Sequence, residues 1–136
     1  EGFNIFLQVM PYIVAILVAI GMFRMCGALE YLSELLAPAT LLIGMPPETL
    51  PVALMKPLSG SGSLGLVAEV VQAAPDSFTA KVASTMFGST DTTFYIIALY
   101  FGSVGIKKIR HAMVAGLIAD AAGLLAAVWI CHAVFK

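Results

Sequence analysis

Two short runs of glycine and hydroxyl residues interrupt stretches that are otherwise apolar enough to enter a bilayer. The first is Pro57-Leu58-Ser59-Gly60-Ser61-Gly62-Ser63 and the second is Gly88-Ser89-Thr90-Asp91-Thr92-Thr93. Hydrocarbon offers no water to an unsatisfied amide or carbonyl. Irregular or polar backbone at that depth is therefore tolerated only where it is buried in protein or lines a wet cavity. Paired helix interruptions of this kind mark the binding site in membrane transporters. The two runs thus constrain fold and function together.

The rest of the composition agrees. The chain is 60% hydrophobic and 11% charged, with a mean hydropathy of +0.99. A soluble domain runs at about 45–50% apolar and about 25% charged. The expected fold is an all-α integral membrane protein with a single domain over residues 1–136. It should be a small polytopic helical bundle with two discontinuous helices and an amphipathic interfacial or re-entrant helix. The net charge is −1, and there is no basic stripe interleaved with aromatics, so no nucleic-acid partner is expected. Cys26 and Cys131 read as small buried hydrophobes without ligand spacing for a metal or a disulfide. The chain opens Glu1-Gly2 without a methionine, and Phe3 already begins an apolar run. The expectation is that a helix preceding this segment is missing, and no signal peptide is visible.

Five segments follow from hydropathy and breaks. The first, about Phe3 to Phe23, carries Asn4, Gln8 and Pro11 but no charge before Arg24. About 20 residues suffice to span a bilayer core. Asn4 and Gln8 share a helix face that should meet protein or headgroups. The second, about Ala28 to Met45, sets Glu30 and Glu34 on one face, with Leu29, Leu32, Leu35 and Leu36 largely opposite. That pattern is amphipathic. Pro38 is expected to break this helix and Pro46-Pro47 to stop it, which suits an interfacial or re-entrant element. The third, about Leu50 to Ala74, carries Lys56, the first interruption and Glu69. Pro75-Asp76-Ser77 is a turn in which Asp76 or Ser77 caps the next helix.

The fourth segment, about Phe78 to Phe101, carries Lys81, Ser84, Thr85 and the second interruption. If its helix continued, Ser84, Gly88, Asp91 and Tyr95 would form one stripe. The fifth, about His111 to Phe135, holds one charge, Asp120. Its small residues four apart (Ala115, Ala119, Gly123; Ala122, Ala126) predict a close helix-packing face. Between the last two lies a loop with Lys107, Lys108 and Arg110, three of the seven basic residues. This favours the cytoplasmic side for that loop.

The polar residues carry the chemistry. Pro57 removes an amide donor and disfavours helix at Lys56. Gly60 and Gly62 permit unusual backbone angles, and Ser59, Ser61 and Ser63 offer hydroxyls. The first run can thus unwind a helix and expose its amides, or kink it at a helix contact. In the second run Asp91 is a carboxylate among Ser89, Thr90, Thr92 and Thr93. It either meets a ligand or caps the half-helix that follows. An intramembrane charge costs about 2.5–3.5 kcal/mol on insertion scales, so an ion-pair partner is expected for each. Lys56 is expected to pair with Asp91 or Asp120. Lys81 and Glu69 are expected to snorkel towards segment ends. Phe87, Phe94 and Tyr95 beside the second run are either stacking platforms or ordinary packing. Lys56 and Ser59 have the chemistry of a nucleophile–base dyad. Pro57 between them and the absence of H-E-x-x-H spacing argue against an enzyme.

The residues Lys56-Pro57-Leu58-Ser59-Gly60-Ser61-Gly62, Ala83-Ser84-Thr85, Gly88-Ser89-Thr90-Asp91-Thr92-Thr93 and Tyr100 to Lys108 resemble the nucleoside recognition, or Gate, domain family, in its spore-maturation branch. The resemblance is dense from Pro51 to Asp120. An arginine is common in that family where this chain has Lys56; the charge is kept and bidentate recognition is lost. The resemblance implies a multi-pass protein of the bacterial inner membrane, working with a second, similar Gate-type protein so that two halves face each other. In spore formers such a pair is linked to dehydration of the spore core. The pair also occurs in bacteria that make no spores, which implies a more general activity.

The reading that results is half of a transporter or channel for a small solute or ion. Ser59, Gly60, Ser61 and Gly62 form one side of a midplane site, and Ser89, Thr90, Asp91, Thr92 and Thr93 the other. Lys56 or Asp120 balances the charge. No organic cofactor is expected, while a coupling cation and any metal are left open. The alternative is a non-transporting membrane scaffold or assembly factor.

Overall fold

The computed structural model describes residues 25–135 continuously, together with residues 3, 7, 10, 11, 14, 15, 18, 19 and 22, which are helical. The rest of the expected first span, with Asn4 and Gln8, lies outside the described residues. Among the described residues the fold is all-helical, with no strand. Its elements are α1 (Ala28–Leu42), a 3-10 turn (Pro47–Thr49), α2 (Leu50–Met55), α3 (Gly60–Ala73), α4 (Phe78–Ser89), α5 (Thr93–Ser103) and α6 (Ala112–Phe135).

Helix α4 is the centre of the bundle, and its sequence explains why. Val82 and Met86 lie one helical turn apart on one face, and Ala83 and Phe87 on the next. The first pair packs in a core with Leu50, Ala53, Val128 and Cys131, which joins α2, α4 and α6. The second pair belongs to a smaller core with Val52 and Val67, on the α2–α3 side. Both faces of α4 are thus occupied. Helix α5 rests on α6, and α1 on α2. Ser77 starts α4 by accepting the Ala80 amide at 3.0 Å, as the turn before it predicts.

Helix α6 has 24 residues and a single charge, and among the described residues it alone is long and apolar enough to cross a membrane. Its side chains Ile118, Leu125, Trp129 and Val134 are exposed in the single chain, as lipid-facing residues would be. Helices α3, with 14 residues, and α4, with 12, are each too short to span; at 1.5 Å per residue they reach only about 20 Å.

Four expectations need correction. Pro38 does not break its helix, because α1 runs through it to Leu42. A proline forfeits one amide bond, and the stop comes later at Gly44, which takes φ 71°. There the Gly44 and Met45 amides turn back to Leu41 and Thr40. Lys56 keeps helical angles despite the following proline, with its amide on the Val52 carbonyl at 3.0 Å. The small residues Ala115, Ala119, Ala122 and Ala126 are exposed. Helix α6 instead packs through Gly116, Asp120, Gly123, Ala127 and Cys131, a face offset by one residue. Finally, Cys131 is buried as expected, but Cys26 is exposed.

Candidate functional site

The first break is short and bonded largely within itself. After α2 the amides of Leu58 and Ser59 both turn back to the Met55 carbonyl. Ser59 is extended, with φ −151° and ψ 116°, and its Oγ accepts the Gly62 amide at 3.1 Å. That bond caps α3. Ser63 Oγ donates to the Gly60 carbonyl at 2.9 Å. Ser59 Oγ also meets Ser61 Oγ at 3.4 Å, while the Lys56 ammonium sits over the Phe87 ring.

The second break is built differently. Helix α4 ends at Ser89, Thr90 is extended, and Thr92 precedes α5 without a side-chain cap. Asp91 is not a conventional cap, because its Oδ1 accepts the adjacent Thr92 amide at 2.7 Å. The first turn of a helix has orphan amides that need partners. The Phe94 amide finds one in the Pro57 carbonyl, 3.0 Å away in the other break. A Cβ on Gly60 would stand 2.9 Å from Thr92 Oγ1. The two breaks therefore meet backbone to backbone.

Helix α6 forms the floor beneath the second break. Thr93 Oγ1 donates to Asp120 Oδ2 at 2.5 Å. A Cβ on Gly116 would lie 2.7 Å from Thr93 Cγ2, and one on Gly123 would lie 2.5 Å from Thr90 Cγ2. Only glycine admits the two threonine methyls at this distance. Gly116, Asp120 and Gly123 follow a 4-3 spacing on one helix face.

Charge concentrates where these pieces join. Lys56 is only 5% exposed and Asp120 6%. The Lys56 ammonium lies 4.1 Å from the centroid of Phe87, a cation–π distance. The Asp91 and Asp120 carboxylates act on it only at a distance, and neither makes the ion pair with Lys56 that the sequence leads one to expect. Thr92 and Ser59 are buried and Gly60, Gly62, Thr90 and Thr93 half-buried, while Ser61, Ser89 and Asp91 reach the surface. Thr90 Oγ1 is buried with no hydrogen-bond partner. Ser89 Oγ is turned back onto the Met86 carbonyl at 2.9 Å. Among the described residues no cluster of three His, Cys, Asp or Glu suits a metal.

The remaining charges lie away from this junction. Lys81 Nζ is 4.9 Å from the Phe135 ring centroid at the end of α6. Glu69 borders a groove with Glu48 and Ser77. The helical stripe Ser84, Gly88, Asp91 and Tyr95 is interrupted at Thr90, although all four residues are exposed. Sequence reasoning missed the Pro57 carbonyl and Gly116, while Gly123 of the expected small-residue face does pack closely, against Thr90, and Phe87, one of the expected platforms, carries the Lys56 ammonium. The 4-3 spacing around Asp120 was the available signal for Gly116.

Two hydroxyl-rich turns between short helices are thus set against one long apolar helix that carries a buried carboxylate. A family model described as Gate, nucleoside recognition, matches residues 6–107, and the chain belongs to that family. It is similar to spore maturation protein B of Bacillus subtilis (strain 168), with 46% identity over 136 residues, covering 99% of this chain and 76% of that protein. No solved structure matches.

Proposed function

We propose that this chain is one subunit of a two-component Gate-type transporter or channel for a small solute or ion, in the inner membrane of a bacterium. The observation that carries the reading is the bond from the Phe94 amide to the Pro57 carbonyl, which makes two separate helix interruptions one locus. Helices α2 and α3 act as the halves of one discontinuous span, and α4 and α5 as the halves of another. Discontinuous helices that meet in this way expose half-helix ends to a substrate near the midplane. Ser59, Gly60 and Gly62 line one side, and Thr90, Asp91, Thr92 and Thr93 the other. Ser61 and Ser89 stand at its rim. Lys56 and Asp120 set the charge.

The second subunit is a Gate-type membrane protein resembling spore maturation protein A, and its half closes the exposed side of Asp91. The name of the B. subtilis relative ties that protein to spore maturation; a solute-moving activity would serve that role in a spore former. A second reading, a non-transporting scaffold or assembly factor, is favoured by the exposure of Ser61, Ser89 and Asp91, which suit a docking surface.

Uptake into proteoliposomes holding this chain and its partner, screened across nucleosides, divalent metals and a proton gradient, separates the two. Flux of one solute supports the transporter and names its substrate class. An assembled complex that moves none of them supports the scaffold.

A further inference from the structure

The segment between α5 and α6 lies outside the joined breaks and concentrates charge of one sign. Lys107, Lys108 and Arg110 are followed by His111, and no acidic residue lies between Asp91 and Asp120 in the sequence. All four basic side chains are exposed. The segment folds back on the helix it leaves. The Gly105 amide turns to the Gly102 carbonyl at 3.1 Å and the Ile106 amide to the Phe101 carbonyl at 2.9 Å. Gly105 takes φ 67° to do so, the left-handed angle that favours glycine after a helix. Between this turn and α5 runs an open groove of about 300 Å³, lined by Ile97, Ala98 and Phe101 of the helix and by Ile106, Lys107 and Ile109 of the segment. Lys107 is the one charged side chain in that lining. Helix α6, the apolar span, begins at Ala112, directly after the basic residues. Tyr100, near the end of α5, is 63% exposed. Basic and tyrosine side chains that flank an apolar span sit at the headgroup level of a bilayer.

We propose that this groove seats an acyl chain of an anionic phospholipid whose phosphate is held by Lys107, Lys108 and Arg110. The proposal goes beyond the reading of the joined breaks and requires only that α6 crosses the bilayer. Two features select this occupant. The isoleucines, Ala98 and Phe101 match hydrocarbon. The three positive charges, with no acidic neighbour in the sequence, complement a phosphodiester. A zwitterionic lipid meets the first condition but brings its own ammonium to the second. A soluble phosphate meets the second and leaves the groove empty. Each Lys or Arg near the membrane surface contributes roughly fivefold to affinity for anionic lipid. A lipid seated here braces α5, which starts from Thr93 in the second break, against the beginning of α6.

The test is native mass spectrometry of the full chain in detergent, titrated with phosphatidylglycerol or phosphatidylcholine of identical acyl chains, with glycerol phosphate as a tail-free competitor. Wild type is expected to retain one phosphatidylglycerol, at least about tenfold more tightly than phosphatidylcholine, and glycerol phosphate at equal concentration is expected not to displace it. A triple variant, Lys107→Gln with Lys108→Gln and Arg110→Gln, is expected to bind the two lipids alike. Ala98→Phe fills the groove and leaves every charge in place; it is expected to lose the bound lipid. Ile106→Asn, at a residue 47% exposed and so tolerant of change, is expected to weaken it in the same way. Equal retention of both lipids by wild type overturns the proposal, as does a preference that survives the triple variant. So does phosphatidylglycerol retained in full by both Ala98→Phe and Ile106→Asn, which would reduce the basic residues to a diffuse surface charge. Displacement by glycerol phosphate also overturns it, by showing a phosphate site that does not use the groove. The readout involves neither flux nor a partner, so its outcome is separate from that of the uptake experiment.

Discussion

The Phe94 amide donates to the Pro57 carbonyl across 3.0 Å, so each break satisfies a backbone group that the other leaves open. Pro57 cannot donate an amide, and Thr92 offers α5 no side-chain cap. Neither turn is complete alone, which in a dry environment ties them into one unit.

That unit depends on the bare Cα of Gly60. A methyl there would meet Thr92 Oγ1 at 2.9 Å. Gly60→Ala is expected to destabilise the protein by about 1–3 kcal/mol, the usual cost of overpacking. Thr92→Ala in the same chain should restore much of the loss. Melting temperatures of the two single variants and the double variant check the coupling.

The floor glycines make a parallel case. Gly123→Ala should cost about 1–3 kcal/mol through the Thr90 methyl, and Thr90→Ser should relieve it. Gly116→Ala should be relieved by Thr93→Ser, which removes the clashing methyl and keeps the hydroxyl for Asp120. Relief by the mismatched serine variants instead would show that the two threonines do not sit where described.

Asp120 accepts from Thr93 and attracts Lys56. Asp120→Ala leaves the half-buried Thr93 hydroxyl without its acceptor and removes a nearby negative charge from Lys56. A hydrogen bond to a charged group contributes about 1.5–3 kcal/mol, so a loss of that order is expected in chemical unfolding. Asp120→Asn keeps an acceptor for Thr93 and should lose less.

At the far end of the bundle, His132 Nε2 lies 2.8 Å from the Gly44 carbonyl, and the His132 ring stacks on Phe78 with centroids 4.7 Å apart. Gly44 has φ 71°, and a Cβ there would stand 2.6 Å from His132 Nε2. Gly44→Ala combines a left-handed backbone cost of about 1–2 kcal/mol with that clash. It should loosen the end of α1 from α6, read as faster proteolysis between α1 and α2.

Much of this arrangement is legible in the sequence, for identifiable reasons. Glycine, proline and serine punctuate locally, so both breaks, the Ser77 cap and the extent of α6 follow from residue order. The relation of the breaks to one another does not, because it runs through the backbone carbonyl of Pro57, which no side-chain pattern announces. Alanine richness pointed to Ala115, Ala119, Ala122 and Ala126 as the packing face. The face in use is chosen by what must fit beneath Thr90 and Thr93, two glycines and a carboxylate. Proline usually breaks a helix, which is why Pro38 suggests a break within α1; here a single lost amide bond leaves the helix intact. The roles of the site residues are a matter of chemistry with a ligand, and they rest on experiment.

The most direct measurement is solute flux through the reconstituted two-component complex with Asp91→Asn in place of wild type. Asparagine keeps an oxygen to accept the Thr92 amide and removes only the charge. The account predicts an assembled complex of normal stability whose flux falls to background. Undiminished flux from a fully assembled Asp91→Asn complex would contradict it, and would show that the joined breaks do not handle the solute through this carboxylate.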